Sequence, residues 1–572
     1  MRRRTLIAGA LALCLVVPGL ASGHAERYME SPPRPGKVPD QNRVPTAVLD
    51  VCKTGECQYV HIQQAVNAAP DGALIRIWPG FYKEEPSRQQ PLLPPDNTDG
   101  TYSYQHHVDH PHSQNLIAII GKHNLTLRGM GANPRQVVID TEFKKHVGIR
   151  GDRADGLILE NFSLWHSFDH GVYILETDGF VIDRIVSGYS REYPFLTFAN
   201  DHGLMKNCEA FGGGDGGLYP GGAADVVGGK LGRYSMEIDH CISYHNVLGY
   251  SGTQGDNVWV HDSEFFDNAV GLVTDSETDH PNYPQNNLTL ERNKFHDNNL
   301  NPYSKDSDIW PTVFANSIMI PVGNGVVIAS GNDNLLQENE IWGHDKYGVW
   351  LLNGAGLILG PGGPVVDGSP FAPPFISEGN RFLANKMYNP AKPEGSQNGT
   401  DFGWDGIGLT NCWDSNYSTP EGGGVTSNVL MLPPCSNPID NSRLPLTPGI
   451  PDPANLLEQG GLIFVDTDND GTGDTPVCQL TNSCFVPYEG GPPLENARNV
   501  PEGYKPPPTP PTCGPSTCPA SASSVKGFKV VTKTFSGHAV ALPATGVPTA
   551  TTAALTLLGV AALIGTAVRR RI

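Results

Sequence analysis

Carboxylates, imidazoles and amides recur just after glycine-marked turns through the middle of the chain. They include Glu176, Asn200, Asp201, His202, Tyr219, Gln254, Asp256, Asp275, Asp279 and His280. A row of carboxylates on successive short segments has the residue types for acid–base cleavage of a glycosidic bond. The same row with bound Ca²⁺ suits the capture of uronate carboxylates by a lyase. On this reading Asp201, His202, Asp256, Asp275 and His280 are the catalytic candidates, and Glu176, Tyr219, Gln254 and Asp279 contact substrate. Lys206, Lys230 and Arg233 are the nearest basic residues for an elimination, which needs a base and a counterion for the enolate. Asp and Asn are also ordinary turn formers, so the competing reading is a set of solvated turns.

Two further tracts have metal-ligand composition. The string DTDNDGTGD carries Asp466, Asp468, Asp470 and Asp474, with Gly471 permitting the turn. Carboxylates at alternate loop positions suit a hard cation, and Ca²⁺ as a structural ion is expected there. An EF-hand would need Glu where Val477 stands, so the string is more similar to a thrombospondin-type or dockerin-like calcium loop. The tract QHHVDHPHSQ offers His106, His107, Asp109, His110 and His112, but it lacks a regular two-ligand face and reads as an exposed loop.

The elements that must position these side chains follow from composition and repeat. The 572 residues carry 39 Lys plus Arg against 59 Asp plus Glu, a formal net charge of −20, with only 17% charged residues. That balance argues against a nucleic-acid binder, which needs clustered cations. With 66 Gly and 50 Pro, the chain is also ill suited to a compact helical fold. Between about 115 and 410, units of 22 to 35 residues repeat an apolar–polar alternation, a turn, a second alternation and a Gly. Examples are LILENFSLWHSFDHGVYILE, FVIDRIVSGYSREYPFLTFAND and VWVHDSEFFDNAVGLVTD. Period-2 alternation means half-buried strands, and no stretch has the apolar period of a crossover helix. Stacked short strands of one phase predict an all-β parallel solenoid, since neighbouring coils bury what one coil cannot. An antiparallel sandwich would show hairpin turns instead.

This series resembles the right-handed parallel β-helix proteins of the pectin-lyase-like superfold, over roughly residues 50–410. The resemblance implies a groove along one long face, where outward side chains of successive coils meet a polysaccharide. It also implies that the segment 58–85, with a short helix over 61–69, is an N-terminal helical cap. The string GFYKE matches the GxYxE of pectin methylesterases, but QDTL, DFxFG and LGRPW are absent. The GHG and RIK strings of polygalacturonases and the DPHD string of alginate epimerases are absent too. Asp169-His170-Gly171, Asp201-His202-Gly203 and Thr278-Asp279-His280-Pro281 are partial echoes. FLTFANDHGL, GYSGT and TDFGWDGIGLTNCW resemble a group of secreted actinobacterial β-helix repeat proteins without assigned activity.

The two ends indicate export. Residues 1–25 have the basic start, apolar run and small-residue end of a signal peptide. Residues 542–572 read LPATG, an apolar stretch long enough to span a bilayer, and three arginines. These three parts resemble a Gram-positive sortase signal, which implies joining of Thr545 to peptidoglycan and a cell-surface, wall-anchored location. The membrane is then touched only through the C-terminal segment. Outside the signal ten cysteines remain, an even number suited to disulfides, with Cys52–Cys57 and Cys513–Cys518 the pairs suggested by spacing. Residues 411–500 read as a Cys/Pro/Gly-rich appendage and 501–541 as a Pro-rich wall spacer. Two functions fit: a lyase or hydrolase of an extracellular polysaccharide, or a non-catalytic adhesin or glycan-binding stalk.

Overall fold

A computed structural model describes residues 34–85, 87, 108–224, 231–276, 282–302, 304, 307–309, 320–352, 376–394, 397–406, 408–438, 464–465, 475–476 and 504–518. The signal segment, Lys230, Asp279, His280, His106, His107, the 466–474 loop and Thr545 lie outside the described residues. The chain divides into two units, Met1–Ser524 and Val525–Ile572; the second lies outside them entirely. Among the described residues no helix is long and apolar enough to cross a membrane.

The first unit winds as a three-faced solenoid of parallel strands. Face A runs through Val48–Val51, Leu74–Ile77, Thr126–Gly129, Asp201–Lys206, Met236–Asp239 and onward to Cys412–Asp414. Face B runs from Gly80–Tyr82 through Glu209–Phe211 and Ile242–Tyr244 to Glu340–Trp342. The long strands Leu157–Trp165 and Asp178–Gly188 bend across both faces. Face C is a ten-stranded sheet from Asn115–Ile120 to Thr400–Trp404. The register keeps like positions above one another. Leu159, Ile182, Met205, Ile238, Val260, Leu290, Leu336, Phe382 and Trp413 form one inward column. All nine are buried, and full burial of each such side chain is worth roughly 1.5–3 kcal/mol.

The corners explain the Asn and Gly load. At the A-to-B corner the Asn293 side-chain amide donates to Asn339, Asn339 to Asn385, and Asn385 to Asn416, at 3.1, 2.9 and 2.9 Å. At the B-to-C corner Asn246 donates to Asn268 and Asn268 to Asn298; Asn298 then donates to Nε2 of His344, and His344 Nδ1 bonds Asn398. A third ladder runs from Asn380 to Asn411. Each ladder residue follows one with left-handed φ, as Arg292, Glu338 and Ala384 do before Asn293, Asn339 and Asn385. The Gly that opens face-C strands is steric. A Cβ on Gly271 would stand 2.4 Å from the Gly325 carbonyl oxygen, and one on Gly325 would stand 2.4 Å from that of Gly348.

The helix Ile62–Ala68 buries Ile62, Ala65 and Val66 in the core at the first coil, and the Glu84 carboxylate accepts the Ile62 and Gln63 amides at 2.8 and 2.9 Å. Among the described residues four disulfides are formed: Cys52–Cys57, Cys208–Cys241, Cys412–Cys435 and Cys513–Cys518. Phe464–Val465 pairs antiparallel with Thr475–Pro476, so short strands flank the 466–474 loop.

Candidate acid–base site

The coils between residues 146 and 215 share one length, and at the B-to-C corner this stacks His146, Asp169, Glu192 and Asp215 at 23-residue intervals. The backbone sets the stack: Asp169 N–H donates to His146 O at 2.9 Å, Glu192 N–H to Asp169 O at 2.9 Å, and Asp215 N–H to Glu192 O at 3.1 Å. The next two positions of the column are Val247 and Ala269, both buried and apolar. Polar chemistry is therefore confined to four coils of one corner.

The side chains interlock. His146 Nδ1 bonds the Asp169 carboxylate. His170 Nδ1 stands 3.4 Å from Glu192 Oε2. Tyr193 stacks on His170 at 5.4 Å, and its hydroxyl donates to Asp215 Oδ2 at 3.1 Å. The Arg191 guanidinium lies 4.8 Å over the Phe168 ring. Asp169 and Glu192 keep 23% and 19% of their side-chain surface exposed, with Glu192 Oε2 itself buried.

The electrostatics drive neighbouring carboxyls apart. Burial alone would raise Asp169, but His146, His170 and Arg191 outweigh it and hold that carboxyl below the ordinary range. Burial pushes Glu192 well up, and the charges of Asp169 and Asp215 add to it against Arg191. Asp215 is pushed up to about 7, chiefly by burial, with the Tyr193 hydroxyl opposing and the Asp275 charge adding. An ionised carboxylate one coil from a protonated one is the arrangement of an acid–base pair.

The residues expected from sequence divide into three places. Tyr219 lies on face C, its ring 4.6 Å from that of Tyr193, and Asp275 ends a face-C strand and bears on Asp215. Glu176, Asp201 and His202 sit at the opposite, C-to-A corner. There Glu176 pairs with Arg153 at 2.7 Å, and Asp201 is clasped by Arg233 at 2.6 and 2.7 Å and by the Arg34 amide at 2.9 Å. Asn200 at the same corner bonds the Thr177 amide at 2.7 Å, and Lys206 stands 4.0 Å from Asp183. Gln254 and Asp256 are fully buried in the turn before Val258–His261, where their carbonyls accept from the Ala223 amide and the Ser235 hydroxyl.

Among the described residues, two groups of three have ligand atoms within 4.8 Å of one another: Asp178, Asp201 and His202, and Glu237, Asp239 and His261. In the first, Arg233 already takes both Asp201 oxygens, and His202 Nδ1 bonds Asp178 at 2.8 Å. In the second, His261 uses both ring nitrogens on carboxylates, Glu237 at 3.0 Å and Asp262 at 2.9 Å. These are ion-paired networks without a free donor set.

His146, Asp169, Glu192, Asp215 and Tyr193 were not among the sequence candidates. The signal was the 23-residue spacing, which becomes meaningful once the coil phase is known to the residue.

Residues 225–360 match the family model described as right handed beta helix region. No curated protein sequence matches the chain. Among solved structures it is similar to the A-module of mannuronan C-5 epimerase AlgE4 from Azotobacter vinelandii, at 13% identity over 62% of this chain and 82% of that one, with a TM-score of 0.39. A pectate lyase is similar at 12% identity over 68% and 84%, TM-score 0.35, and a rhamnogalacturonan lyase at 12% over 68% and 86%, TM-score 0.29. The family match and the observed sheet topology make the fold a right-handed parallel β-helix.

Proposed function

We propose that the protein is a carbohydrate-active β-helix that hydrolyses glycosidic bonds of an extracellular polysaccharide. The observation that carries this reading is the Asp169–Glu192 pair, two carboxyls on adjacent coils whose pKa values are pushed apart, Asp169 down and Glu192 up. Adjacent parallel strands lie about 4.8 Å apart, close to the ~5–5.5 Å carboxyl separation of enzymes that act through a covalent sugar intermediate. Glu192 donates its proton to the glycosidic oxygen as the bond to the anomeric carbon breaks, and Asp169 attacks that carbon. Forming the ester removes the Asp169 charge that raises Glu192, so Glu192 then releases protons more readily and serves as base toward the incoming water. Water replaces Asp169, and the sugar leaves with its configuration retained. His146 orients Asp169, and Tyr219 beside Tyr193 supplies an aromatic wall.

The rest of the reading extends the sequence expectations: export by residues 1–25, anchoring to peptidoglycan through Thr545, and a structural Ca²⁺ held by Asp466, Asp468, Asp470 and Asp474. The test is incubation of the wild type, Asp169→Asn and Glu192→Gln with uronate-containing and neutral glycans, with product anomers followed by proton NMR. Turnover with retention in the wild type, lost in both variants, supports the reading. Saturable binding without turnover favours the adhesin instead. Unsaturated products would mean elimination and overturn the hydrolytic step.

A further inference from the structure

Residues 504–518 lie along the coils without helix or strand. Tyr504, Pro507, Pro508, Pro510 and Cys513 are half-buried, whereas Lys505, Pro506, Thr509, Pro511 and Thr512 are exposed. Contact at every third residue is the repeat of a polyproline II helix, and the prolines of KPPPTPPT favour that form before docking. The segment is pinned at both ends. The Tyr504 ring packs on Phe143 at 4.6 Å, Tyr189 at 4.9 Å and His166 at 6.2 Å. The Lys505 carbonyl accepts from His166 Nε2 at 3.1 Å, and the Tyr189 hydroxyl lies beside the Lys505 backbone. That hydroxyl itself donates to Asp308 at 3.1 Å. At the far end Cys513 N–H reaches Pro79 O, the Ser516 amide reaches Glu56, and Cys518 packs with Cys52, Trp78 and Met130 at the first coil.

The three residues under Tyr504 form a column of their own. Phe143, His166 and Tyr189 are 23 apart, each has left-handed φ of 53 to 56°, and each stands three residues before His146, Asp169 or Glu192. A left-handed backbone at a bulky residue is strained and persists only where surrounding contacts hold it. Tyr504 and Lys505 supply such contacts on the turns that lead into the acid–base column.

We propose that residues 504–518 are a polyproline latch that holds these turns in place, with His166 and Tyr189 as positioning residues for Asp169 and Glu192. The assignment of a positioning role rests on the hydrolytic reading of the column; the coupling between latch and turns does not. The physical consequence is that the two sites open together: freeing the latch loosens residues 167–170 and 190–193 although it touches neither carboxylate.

The test is hydrogen exchange by mass spectrometry on the full chain, comparing wild type with Tyr504→Ala and, separately, Tyr189→Phe, which keeps the ring and removes the hydroxyl. The expected result is exchange at least ~10-fold faster across 504–518 in Tyr504→Ala, and a several-fold rise at 167–170 and 190–193, without a general increase in the distant coils around 381–414. Tyr189→Phe should show the same pattern at smaller amplitude. In both variants the Glu192 titration should move by at least about half a pH unit, which a loss of bulk packing would not produce. A freed latch with unchanged turns overturns the proposal, as does a latch still protected in Tyr504→Ala. Coupled exchange in a protein that cleaves no glycan would leave the latch standing and remove the hydrolytic reading alone.

Discussion

Glu192 lies one coil from Asp169, its amide bonded to the Asp169 carbonyl at 2.9 Å, and the two side-chain carboxyls are pushed in opposite directions, Asp169 down and Glu192 up. Most of what the protein is expected to do with a substrate follows from that pair.

The proposed hydrolysis requires Asp169 ionised and Glu192 protonated. The rate should therefore fall as pH drops below the lowered value of Asp169, and fall again as pH rises through the raised value of Glu192. Glu192→Gln should cost about 10²–10⁴-fold in kcat and abolish the alkaline limb, because the amide cannot donate to the leaving oxygen. Steady-state rates followed from acid to alkaline pH check this.

Asp215 should make the fold less stable in alkali. Its folded value of about 7 lies above the ordinary 3.8, so its contribution is fully present below the unfolded value and is lost as pH rises through about 7. The change is at most about 4 kcal/mol. Urea unfolding at several pH values should show Asp215→Asn flattening this slope.

His344 should act in the opposite direction. It replaces an Asn in the B-to-C ladder and is held neutral by burial, with its value pushed down to about 4 from the ordinary 6.5. Its contribution is present above pH 6.5 and lost as pH falls through about 4, a difference of about 3 kcal/mol. His344→Asn should restore the uniform ladder and remove the acid sensitivity in the same unfolding series, whereas His344→Ala should strand the Asn298 amide and destabilise at every pH.

Gly271→Ala tests the coil geometry alone. The new methyl would meet the Gly325 carbonyl at 2.4 Å, which a strand held on both sides cannot relieve by moving. A loss of about 2–3 kcal/mol is expected by chemical denaturation, with no change in the pH slopes.

The solenoid was legible because its physics is local. Alternation in FVIDRIVS sets the inward Phe180 and Ile182, the left-handed corner at Arg184 shifts the phase so that Ile185 also points inward, and the recurring Gly marks where one coil crosses the next. The close-spaced disulfides Cys52–Cys57 and Cys513–Cys518 were readable for the same reason. The acid–base column was not, because a one-residue error in phase moves a side chain from the corner to a strand. Asp169-His170-Gly171 is visible only as a three-residue echo, and its partner Glu192 stands in no motif. Asp201 and His202 had the right composition, but the Arg233 and Arg34 bonds that occupy Asp201 come from far along the chain. The latch was the least legible: His166 and Lys505 meet across 339 residues, and KPPPTPPT alone reads as a spacer.

The most direct test needs no substrate. Carboxyl ¹³C NMR of glutamate-labelled protein, with Glu192→Gln used to assign the resonance, follows the protonation of Glu192 across pH. The account predicts a titration well above the ordinary 4.5, moving down when Asp169→Asn removes the neighbouring charge. A Glu192 carboxyl that titrates at or below 4.5, or that ignores the Asp169 substitution, would contradict it.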